Sequence, residues 1–127
     1  MPSVVITQNA QIETAIAEAL GYLDLEPLVR GKRVAVKPND TWASADDTTG
    51  VTQPDTLRAV LRRLQHYGPH ELIVTGGAGA AETDDVFRLA GLMDVVAQEG
   101  ATFCDHNRAP FVSVELAYQP RRRGSWA

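Results

Sequence analysis

The sequence holds one cysteine, Cys104, in 127 residues. A lone cysteine excludes an intramolecular disulfide and any all-cysteine zinc or iron–sulfur site within this chain. Basic excess is missing as well, because the formal net charge is -4. No general attraction to nucleic acid or to an anionic membrane is therefore expected. No run approaches the roughly 18 uninterrupted apolar residues of a membrane span. The start, Met1-Pro2-Ser3-Val4-Val5-Ile6-Thr7, has no basic stretch ahead of a long apolar one, so no secretory signal is visible and a cytoplasmic location is expected. Gly-Lys-Ser and Gly-Lys-Thr, the Gly-x-Ser-x-Gly elbow, His-Glu-x-x-His and Cys-x-x-Cys do not occur. The phosphate-binding P-loop and the usual hydrolase, zinc-protease and redox signatures are thus absent.

What the chain does have is a globular balance, 44% apolar and 22% charged residues, at a length that suits one domain. Strand-like and helix-like stretches alternate along it. Val4-Val5-Ile6 reads as a short β-branched strand, and Asn9 can cap a helix whose stripe runs from Ile12 to Leu23. Arg33–Lys37 reads as a second strand, stopped by Pro38, which cannot donate to a ladder. A polar loop of more than ten residues follows, from Asn39 to about Val51. Thr52, with Pro54 and Asp55 behind it, marks a helix start, and Leu57, Val60, Leu61 and Leu64 form the apolar face. Glu71–Thr75 is a third strand, ending in the loop Gly76-Gly77-Ala78-Gly79-Ala80-Ala81. Thr83 can cap a helix that Gly91 interrupts and that ends at Gly100. Ala101–Asp105 and, more weakly, Val112–Leu116 complete the strand set.

Strands separated by helical stretches imply right-handed crossovers. The expectation is a three-layer α/β domain with a mainly parallel sheet of four to five strands and helices on both faces. It spans residues 1–118, with a basic tail over 119–127. In such sheets ligands bind beyond the carboxyl ends of the strands. Those ends carry Lys37-Pro38-Asn39-Asp40, Thr75-Gly76-Gly77 and Asp105-His106-Asn107, which should open on one edge.

Lys37 offers an ammonium to a phosphate or carboxylate, and the alternative is a solvated strand-end lysine. Gly76, Gly77 and Gly79 fit an anion nest or a plain tight turn equally well. A dinucleotide site is disfavoured, because Glu82 stands where a pyrophosphate would come. Asp40, Asp46 and Asp47 supply oxygen ligands for Mg²⁺ or Ca²⁺, yet lack the EF-hand order, so a solvated loop is preferred and no metal is expected. If the strand continues, Asp105 and Asn107 share a face while His106 points the other way. Asp105 and His106 are the candidate proton-transfer groups. Cys104 reads as a small core residue.

Four stretches together resemble a known family. They are Val34-Ala35-Val36-Lys37-Pro38-Asn39, Gly50-Val51-Thr52-Gln53-Pro54-Asp55, Ile73–Gly79, and Val86-Phe87 through Gly91. Asp105-His106-Asn107 with Phe111-Val112 adds a further echo. The family is the one catalogued as domain of unknown function 362, of which this chain resembles an N-terminal portion or shortened member. Members are typically longer, and many carry ferredoxin-like cysteine clusters that are absent here. The resemblance implies an α/β fold and a site near Lys37, Asn39 and the glycine loop, not a reaction and not a cofactor.

Two functions follow as expectations. In one, the domain binds or transforms a small anionic ligand, with Lys37, Asn39, Thr75, Gly76, Gly77 and Gly79 around it. In the other it is a non-catalytic subunit that completes its sheet or site with a second copy or a missing partner chain, since unpaired strand edges recruit partners.

Overall fold

The computed structural model describes residues 4–113. In chain order the elements are α1 (Ile12–Gly21), α2 (Glu26–Val29), β1 (Arg33–Val36), α3 (Pro54–Gln65), β2 (Glu71–Gly76), α4 (Thr83–Leu89), α5 (Leu92–Gln98) and β3 (Thr102–Asp105). The strands form one parallel sheet in the order β1-β2-β3. Each parallel step needs a crossover, and α3 makes the first while α4 and α5 make the second.

The helices form for local reasons. Pro54 occupies the first position of α3, where its missing N–H costs nothing, and Arg62 and Arg63 sit at the negative end of the helix dipole. Leu57, Leu61 and Leu64 recur on one face and are buried. Gly91 separates α4 from α5 with φ of 71°, a left-handed conformation that a side chain would strain. Glu99, just past α5, accepts from Arg58 and Arg62 and so ties the two crossovers together.

Along each strand burial alternates. Val34, Val36, Leu72, Val74 and Phe103 turn towards the helices and join a core with Leu57, Leu61, Val86, Phe87, Leu92 and Val95. Phe87 lies against Phe103 with ring centroids 4.7 Å apart. The other face carries Arg33, Ala35, Ile73, Thr75, Thr102 and Cys104, of which Arg33, Ala35, Thr102 and Cys104 are exposed. α1 does not lie on that face, because it packs on α3.

Three differences from the sequence expectations follow. The sheet has three strands among the described residues, not four or five, and the described helices cover one face. Val4-Val5-Ile6 is not a strand: it pairs with nothing, and Val4 and Ile6 are 88% and 90% exposed. β-branched composition favours extension, but a strand also needs a neighbour, and this run is not hydrogen-bonded to the free edge of β1. Val112 and Ser113, the start of the expected last strand, are unpaired. The rest of that strand and the basic tail lie outside the described residues.

Candidate functional site

The carboxyl ends of β1, β2 and β3 open on one edge, as a parallel sheet requires. At β1, Pro38 ends the strand and folds the chain back so that Asp40 enters the core, 1% exposed. Its Oδ1 accepts from Lys37 Nζ at 2.9 Å, and its Oδ2 accepts from the Gly77 N–H at 2.6 Å. One buried carboxylate therefore clasps two strand ends together. Gly76 makes this possible: a Cβ there would lie 2.5 Å from Asp40 Oδ2 and from Phe87 Cε2. Neither neighbour has room to give.

Asn39, expected to meet a ligand, is committed to its own loop. Its N–H donates to Thr52 Oγ1, its Nδ2 donates to Gly50 O, and its Oδ1 accepts from Thr41 Oγ1. These bonds close the neck of the loop, and Ala43 and Val51 are buried beneath it. Asp46 and Asp47 are exposed on this loop. Asp47 Oδ1 accepts from the Thr49 N–H and hydroxyl, and these bonds hold its carboxyl below the usual range. Asp40, Asp46 and Asp47 make no group able to hold a metal ion among the described residues.

At β2 the register sets Thr75 beside Cys104. Continuing the Val36–Val74 pairing by one residue sets Lys37 on the other side of Thr75. Lys37, Thr75 and Cys104 thus form one row on the uncovered face. The His106 imidazole folds back onto this row, with Nδ1 3.1 Å from Thr75 Oγ1. It rests against Gly77, where a Cβ would collide with the ring. Asp105 points to the opposite side, as alternation required, and its Oδ2 accepts from Arg108 Nε at 3.0 Å. Asn107 Nδ2 donates to Ala78 O and so anchors the glycine loop to the end of β3. Gly79, further along that loop, has open space around it. Beside β3 an open cleft of about 720 Å³ is lined by Asp84, Asp105, His106, Arg108 and Phe111, among others.

The structure therefore gathers Lys37, Thr75, Gly76, Gly77 and His106 at the edge, turns Asp105 to its other side, and leaves Asn39, Asp46, Asp47 and Gly79 apart. The sequence reading assigns another role to two residues and leaves a third unmarked. Asp40 was read as a metal candidate although its spacing of three from Lys37 across a Pro-Asn turn is a signal for an ion pair. Arg108 was unmarked, and Thr83 was read as a helix cap. Thr83 instead accepts from the Ala78 N–H at 3.2 Å and shapes the glycine loop, while the helix boundary falls at Glu82.

Among the described residues no helix is long and apolar enough to cross a membrane. A search of curated proteins found no match, and neither did a search of solved structures. The family model described as Domain of unknown function (DUF362) matches residues 34–123, a span that begins in β1 and holds every strand end of the site, and the chain belongs to that family.

Proposed function

We propose that this domain binds a small polar molecule carrying an anionic group at the carboxyl-terminal edge of its sheet, on the uncovered side. The observation that carries this reading is the row Lys37–Thr75–His106. By strand register it sets Lys37, whose side chain is 51% exposed, beside Thr75, whose hydroxyl meets the His106 imidazole. Adjacent strands stand about 4.8 Å apart, so the row spans a distance that a small metabolite can bridge. Lys37 meets the anion, Thr75 donates or accepts a hydrogen bond, and His106 is the group placed to move a proton. Asp40, Thr83 and Asn107 hold the loops in place without reaching the ligand.

Thermal unfolding in the presence of organic acids, phosphorylated metabolites and nucleotides tests this reading. A ligand at one hundred times its dissociation constant adds about 2.7 kcal/mol and raises the midpoint by several degrees. The increment should vanish in Lys37→Ala, measured against that variant's own unliganded midpoint. An increment that survives the substitution overturns the assignment.

A second reading is favoured by one observation. Ala35, Thr102 and Cys104 lie exposed on a sheet face that elsewhere in α/β domains is covered by a helical layer. In that reading the third layer comes from another chain, either a second copy or a partner. Sedimentation showing a monomer at every concentration, with no partner retained, would remove it.

A further inference from the structure

We infer that the ligand of this edge carries a single negative charge, a carboxylate and not a phosphate; the inference rests on the binding reading above. Both cations of the edge arrive already paired with carboxylates more buried than themselves. The Asp40 side chain is 2% exposed against 51% for Lys37, and Asp105 is 8% exposed against 56% for Arg108. Arg108 also faces Glu82 at 3.3 Å and Asp84 at 3.8 Å. Lys37 is thus neutralised by Asp40 before any ligand comes, and the Arg108 group on the other side of the edge holds one cation against three carboxylates.

The donors tell the same story. An ammonium has three N–H groups. One is spent on Asp40, and a second leans towards Pro38 O at 3.4 Å. The Gly77 N–H, the first amide a phosphate would seek from the glycine loop, is taken by Asp40 Oδ2. One free donor on Lys37 matches one carboxylate oxygen. A phosphate would bring a second charge and three acceptor oxygens into an acidic surround with too few donors to receive them. The Thr75 hydroxyl and the His106 ring then remain for neutral polar groups on the rest of the molecule.

Sodium acetate and inorganic phosphate, titrated at constant ionic strength and followed by backbone amide and imidazole NMR shifts, separate the cases. Acetate should perturb Thr75, Gly77 and His106, while phosphate at the same concentration should not, and Lys37→Ala should abolish the acetate response. Asp40→Asn should raise phosphate affinity about five- to tenfold, by removing one like charge near the anion. Glu82→Gln, at an exposed position, should raise it in the same direction and serves if Asp40→Asn does not fold. Phosphate binding the native chain as tightly as acetate, with both lost in Lys37→Ala, keeps the site and overturns the charge class. No response to either anion, or responses unchanged by Lys37→Ala, overturns the binding reading itself.

Discussion

The two faces of the sheet obey different rules although the same three strands build both. On the helix side the apolar positions are decided by packing: Val74, Phe87, Leu61 and Leu92 have no measurable exposure and belong to one core cluster. On the other side Ala35, Thr102 and Cys104 meet solvent, and what order there is comes from polar pairs, Arg33 with Glu71 at 2.7 Å and His106 with Thr75. The lesson is that stability and chemistry are segregated by strand alternation. A residue's parity along β2 decides whether a substitution should unfold the domain or alter its edge.

The sharpest way to break this division is Phe87→Ala. Removing a ring with no exposure and a tilted aromatic partner should cost about 3–5 kcal/mol. Urea denaturation checks it, and a cost under about 1 kcal/mol would mean the helix side is not the core it appears from packing. Acid should also weaken the tie between the crossover helices. Burial raises the Glu99 carboxyl, but the hydrogen bonds and charges of Arg62 and Arg58 outweigh it, and the group lies below its ordinary range. A lowered folded value contributes stability above the unfolded value of about 4.3, and that contribution is lost as pH falls through the folded one. The difference in urea midpoint between native chain and Glu99→Gln should therefore be steady from pH 7 to 5 and shrink below about pH 4. A difference that instead grows with falling pH would reverse the sign argued here. The smallest effect belongs to the uncovered face: Cys104→Ser should change stability by no more than about 0.5 kcal/mol. A loss of several kcal/mol would show that this face is covered in solution, and would favour the reading with a second chain.

Much of the fold could be read from local pattern. The helical stripe Leu57, Leu61, Leu64 and the short runs Arg33–Val36 and Glu71–Thr75 each announce their element within one window of sequence. The capping residues show where such reading stops. Asn9, Thr52 and Thr83 were all recognisable as helix-start residues, yet none makes the cap bond of its helix. Asn9 Oδ1 accepts from the Gln11 N–H in a turn, Thr52 serves Asn39, and Thr83 serves Ala78. Each side-chain oxygen instead accepts from a backbone N–H of the folded loops. The Val4–Ile6 run fails for the complementary reason. Its propensity is local, but pairing is not.

The sequence by itself determined the class of the domain, the parallel arrangement and the edge on which polar strand ends gather. All three follow from periodicity and from the direction that crossovers impose. Only the tertiary structure decided that Asp40 is buried between Lys37 and Gly77, that Asn39 closes its own loop, and that His106 lies over a glycine against Thr75. Apart from the Lys37–Asp40 pair, those outcomes join residues 11 to 37 positions apart. Local preference has no hold on such pairs, because the free energy of burying a charge or seating a ring is set by whatever the rest of the chain brings to it.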